Sequence, residues 1–118
     1  IALTALGEHA RACELARDAA IRYAELDDTW DLVDALDVLA GALGQLGDIA
    51  TAGWLFGGAA SLRAALDVRR PTFEVQEYQD ATMQARRRDP DAYDRGYADG
   101  ADASLAQVVE RASAVGTP

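Results

Sequence analysis

Apolar residues recur in steps of three and four along most of this chain, most densely in the stretch from Leu36 to Ala60, LDVLAGALGQLGDIATAGWLFGGAA. Leu36, Leu39, Ala40 and Leu43 fall at i, i+3, i+4 and i+7, on one face of a helix with 3.6 residues per turn. Ala52, Phe56 and Ala59 repeat that spacing after Gly47-Asp48, which predicts two helices folded back on each other about a tight turn. Val and Ile are few and alanine is abundant, so local preference is helical and strands have almost no support. The pattern predicts an all-α domain of about six helices.

Taken in order, residues 1–6 read as the tail of a helix whose turn is Gly7-Glu8, and a first full helix runs from about Glu8 to Glu25. Asp27, Asp28 and Thr29 are candidate N-caps for a helix from Trp30 to Leu46, and a third helix spans about Asp48 to Leu66 until Arg69-Arg70-Pro71 breaks it. Gly41, Gly44, Gly47, Gly53, Gly57 and Gly58 sit inside helical pattern with no preceding strand, so they mark close packing or a turn, not a phosphate loop. Matching Gly7 to Gly47 aligns Ala12 with Ala52, Ala16 with Phe56 and Leu26-Asp27 with Leu66-Asp67, an internal repeat at an offset of forty. Leu36-x2-Leu39-Ala40-x2-Leu43, Gly47 and Ala52-x3-Phe56 resemble the tetratricopeptide signature, whereas the period exceeds its ~34 residues and approaches the ~40 to 47 of HEAT-like units. Residues 1–70 thus read as one partial and one complete tetratricopeptide-like hairpin, and residues 71–118 as a C-terminal helical cap of the same domain, with shorter helices. The cap should hold a helix from Thr72 to Arg88 with Phe73, Tyr78 and Met83 inward, an Asp89-Pro90 helix through Tyr93 and Tyr97 to Gly100, and a last helix from Leu105 to Ala114 opened by a Ser104-x-x-Gln107 capping box.

Charge narrows the function classes. A net charge of -9 offers no basic surface for nucleic acid, and every one of the 11 basic residues is arginine. No apolar run reaches the ~20 residues of a membrane span, and no signal-peptide pattern opens the chain. Cys13 is the lone cysteine, consistent with a cytoplasmic protein. His9 and Cys13 stand one helical turn apart, too few ligands for a zinc site. There is no G-x-S-x-G elbow, so no catalytic residue, cofactor or metal is assigned.

The order of parts, a repeat ending in LFGGAASLRAAL, a helix ending in arginines, an Asp-Pro helix with two tyrosines and a Ser-capped final helix, resembles the C-terminal tetratricopeptide-like region of large actinobacterial ATP-binding transcriptional regulators of the LuxR and SARP types. That resemblance implies a sensing or protein-interaction arm, with nucleotide and DNA binding carried elsewhere; no G-x4-GK[ST] loop occurs in this chain.

Several surface positions are candidates for contact. Trp30 and Trp54 lie off the core stripe and, with the basic cluster Arg86, Arg87 and Arg88, are candidate contacts for a protein partner. With the hairpin partner of the first helix absent, Ala12, Leu15, Ala16 and Ala19 form a candidate self-association face, most simply a homodimer. The alternative function is a small-molecule sensor whose pocket lies between repeat and cap, lined by Trp54, Phe73, Tyr78 and Tyr93. The acidic run from Glu25 to Asp37 reads as a solvated helix start that could also face an arginine-rich partner.

Overall fold

A computed structural model describes residues 2–67, 69, 70 and 72–116, and the side chains of residues 2–4 and 73 lie outside that description, so the inward placement expected of Phe73 falls there too. The described chain is all helical: α1 (Ala2–Glu25), α2 (Thr29–Leu46), α3 (Ile49–Leu66), α4 (Thr72–Arg88), α5 (Pro90–Ala101) and α6 (Leu105–Ser113).

The helix ends arise from local chemistry. Asp28 caps α2 by accepting from the Asp31 amide at 3.1 Å, and Asp48 caps α3 by accepting from Thr51 at 3.3 Å. Asp89 caps α5 just before Pro90, whose missing N–H costs nothing in a first turn. At α6 both halves of the capping box form, Gln107 N–H to the Ser104 hydroxyl and Ser104 N–H to the Gln107 side chain. Gly47 ends α2 in the left-handed conformation, with its amide turned back on the Gly44 and Leu43 carbonyls. The Leu-Asp pairs forty residues apart share a second device: Asp27 and Asp67 are both left-handed, at φ 55° and 53°, each just beyond a helix.

One expected turn is missing. α1 runs unbroken through Gly7, and the residue after the glycine is the reason. Gly47 precedes an aspartate that caps a new helix, whereas Gly7 precedes Glu8, a good helix former, and a lone glycine costs an exposed helix only about 1 kcal/mol.

α1, α2 and α3 are joined by short links and pack as antiparallel neighbours. The segment after Pro71 then runs alongside α2 and α3 in the same directions. α4 lies parallel to α2, with Gly41 facing Ala81 and Gly44 facing Ala85. α5 lies parallel to α3 along a seam of glycines: the backbone of Tyr93 passes over Gly53, that of Tyr97 over Gly57, that of Ala50 over Gly96 and that of Trp54 over Gly100. A methyl group at any of the four would overlap a carbonyl oxygen of the opposing helix, so the close approach requires glycine. α6 reaches both α1 and α3; Val108 packs on Gly58, and Arg17 donates to the Val115 carbonyl at 3.0 Å.

The core centres on Phe56, which is 1% exposed and meets the Tyr78 ring edge-on at 5.8 Å and the Tyr93 ring at 6.4 Å. Leu32, Leu36, Leu39, Leu55 and Val108 are sealed in the same core, and Val33 is as fully buried. On α4 the inward positions are Tyr78, Ala81 and Ala85, a stripe that leaves Met83 out of phase and half exposed, contrary to its expected inward placement.

Candidate functional site

A groove of about 440 Å³ runs along α2, with α1 forming one wall and α4 the other. The spacing of Asp34, Asp37, Val38, Gly41, Ala42 and Gln45 puts them on one face of α2, where they make the floor. His9 and Ala12 line the α1 side, and Glu74, Glu77, Tyr78 and Ala81 the α4 side, with Phe56 reaching the bottom from α3. Arg70, just before α4, enters from the linker.

Under the acidic half of this floor lies an ion network that is buried at Arg63 and opens to solvent at Asp34. Arg63 continues the core stripe of α3 that runs through Ala52, Phe56 and Ala59, and its side chain is only 8% exposed. Its Nη2 donates to Asp34 at 3.0 Å and to Asp37 at 2.9 Å. Arg70 donates to the same Asp37 oxygen and lays its guanidinium over the Tyr78 ring, 3.4 Å from the centroid. Among the described residues, the other oxygen of Asp37 and Nε of Arg63 are buried without a hydrogen-bond partner. Burial pushes the Asp37 carboxyl above the ordinary aspartate range, against the opposing pull of Arg70 and Arg63. Burial likewise raises the Tyr78 hydroxyl, with Tyr97 adding to the effect. Sequence reasoning missed this network, although one signal for it was present: the core periodicity of α3 lands on an arginine.

The residues singled out from sequence do not converge. Trp30 is 60% exposed near the start of α2, away from the groove. Trp54 is half-buried; its backbone lies under Gly100 and its ring faces the Arg111 guanidinium at 5.1 Å, beside a separate cleft of about 480 Å³. Two members of the arginine triplet are committed to separate tasks and the third points to solvent, so the three do not form a patch. Arg86 holds Asp94 through two bonds of 2.8 and 3.0 Å, which keeps that carboxyl below its usual range. Arg88 donates to the Gly44 and Gln45 carbonyls at 2.6 and 2.9 Å, closing the C-terminal end of α2. Arg87 is exposed.

The self-association face is corrected by packing. Ala16 is buried in the core, Ala12 and Ala19 pack against it, and Leu15 points the other way, 55% exposed. α2 and α6 cover the side of α1 that was expected to be open. The aromatic sensor pocket does not form as predicted either: Tyr78 lines the groove, Trp54 lines another cleft and Tyr93 is buried in the core. Among the described residues no group of three or more His, Cys, Asp or Glu is arranged to hold a metal ion, and no helix is long and apolar enough to cross a membrane.

No protein-family model, curated protein or solved structure matches this chain.

Proposed function

We propose that this chain is a non-catalytic protein-interaction module, the helical-repeat arm of a cytoplasmic transcriptional regulator. The observation that carries this reading is the groove along α2: two helical hairpins stacked in parallel leave one helix as the floor of an open channel, the surface on which stacked-hairpin arrays hold a partner segment. Residues 34 to 45 give it a length of roughly 16 Å at 1.5 Å per residue, enough for about three turns of a partner helix. Asp34, Asp37, Arg63 and Arg70 are spent on one another in an ion network, which suits docking better than chemistry.

Selection of a displayed library of random peptides on the whole chain, counter-selected on Val38→Arg, tests this reading. Val38 is 57% exposed on the groove floor, so the variant blocks the channel while sparing the core. A peptide family that binds the parent chain and not the variant is the expected result, and no such family would end the docking reading.

The second reading, a small-molecule sensor, rests on the groove lying between α1 to α3 and α4 with a volume inside the ~300 to 1,000 Å³ of ordinary ligand sites. A metabolite thermal-shift screen separates the two, since a ligand at a hundred times its dissociation constant adds about 2.7 kcal/mol.

A further inference from the structure

Resting on the docking reading, we infer that the occupant of the α2 groove is a basic amphipathic segment that presents arginine or lysine to the Asp34, Glu74 and Glu77 end and apolar side chains to Val38 and Ala42. The charge balance of the channel points this way. Four carboxylates line it, Asp34, Asp37, Glu74 and Glu77, against Arg70 on the wall and Arg63 beneath. Both arginines are already engaged by Asp34 and Asp37, while Glu74 and Glu77 have no ion pair among the described residues. A partner that brings cations there completes pairs that the chain leaves open, and one that brings anions meets uncompensated repulsion.

Arg70 supplies the second line of argument. It is a guanidinium seated in this channel, stacked on Tyr78 and hydrogen-bonded to Asp37, so the wall accommodates a cation of this kind, while Tyr78 and Asp37 are taken by Arg70 and leave Glu74 and Glu77 to receive a partner's. Between that end and Gln45 the floor is apolar or small, with Val38, Gly41 and Ala42 beside Ala12 and Ala81, so a partner can lay a hydrocarbon face along it while its charges sit at one end. The chain's own charge of -9 steers such a segment in from a distance.

The test uses the peptides recovered in the library selection. Synthetic copies of the Val38→Arg-sensitive family, labelled and titrated into the whole chain, should carry Arg or Lys interleaved with apolar residues. Their affinity should fall steeply with added salt, and by about tenfold in Glu74→Gln/Glu77→Gln, two partly exposed side chains whose neutralisation leaves the core intact. A Val38→Arg-sensitive family that is neutral or acidic overturns the inference about charge and leaves the docking reading standing. So does a basic family whose affinity is unmoved by the double Gln variant. Failure to recover any Val38→Arg-sensitive family overturns both. Native melting temperatures for both variants exclude misfolding as the cause of lost binding.

Discussion

Replacing glycine by alanine in a helix should have opposite effects at two kinds of position in this fold. At Gly7, inside α1, an added methyl meets nothing within 4 Å, and at Gly41 it meets only the Ala81 methyl at 3.9 Å, an ordinary contact. Both substitutions should therefore show the intrinsic helix preference alone, a gain of about 0.8 to 1 kcal/mol. At Gly57 and Gly100 the same methyl falls inside van der Waals contact of the Tyr97 and Trp54 carbonyls, and the atoms it meets are backbone, with no flexible tip to move aside. Relief requires α3 and α5 to separate, which draws Tyr93 away from Phe56 and opens the seam at Gly53 and Gly96. Overpacking of this kind costs about 1 to 3 kcal/mol, and the unyielding partner places it at the upper end, so a net loss of ~2 kcal/mol remains after the helix-preference gain. The two classes then differ by ~3 kcal/mol, or about 10 °C in melting temperature for a domain of this size. Urea unfolding with matched slopes measures it. Should Gly57→Ala and Gly100→Ala raise the midpoint as Gly7→Ala does, the parallel glycine seam would be wrong.

Phe56→Ala should cost ~3 to 5 kcal/mol by urea titration, whereas Trp30→Ala, at a 60% exposed site, should stay within about 0.5; equal losses would misplace the core. Arg88→Ala removes the guanidinium from the Gly44 and Gln45 carbonyls, of which Gly44 keeps the Gly47 amide, and should cost ~1 kcal/mol, with faster hydrogen exchange at the end of α2; unchanged exchange there would show that the cap does not hold the helix. Because burial raises the Asp37 carboxyl, the folded chain binds that proton more tightly than the unfolded one, and the Asp37 contribution to stability falls as pH rises from the ordinary aspartate value of 3.8 through the raised one. The stability difference between the parent chain and Asp37→Asn should accordingly shrink with rising pH over that window, and a difference that grows would mean the two arginines outweigh burial.

Features carried by a few neighbouring residues were legible in the sequence. Asp28, Asp89 and Ser104 were legible as caps because the bond spans three residues; Asp48 caps by the same rule but read only as a turn, and the Leu-Asp pairs at 26–27 and 66–67 were visible as a repeat while Asp27, offered as a cap, is left-handed instead. Phe56 was legible because helical periodicity has one phase. The illegible parts depend on which helices meet. Gly53 and Gly57 announced a close approach, but nothing in their neighbourhood names Gly96 and Gly100 as the opposing surface. The triplet Arg86, Arg87 and Arg88 looked like one basic patch because its members are adjacent; on a helix adjacent residues point about 100° apart, so Arg86 and Arg88 reach different partners and Arg87 faces solvent. The groove network was hidden for the same reason, since Asp37, Arg63 and Arg70 come from three different segments.

The placement of α6 bears on how the chain comes to be folded. A stack of hairpins can form and melt from either end, one neighbour at a time. Here residues 105–115 lie against α1, so a contact nearly a hundred positions apart in sequence, Arg17 to Val115, must close before the flank of α1 is covered. On the ribosome that flank stays open until the whole intervening chain has emerged, and the loop that must be closed is long. The contact also ties the two ends of the array into one cooperative unit, so opening at α1 and opening at α6 become a single event in place of independent fraying.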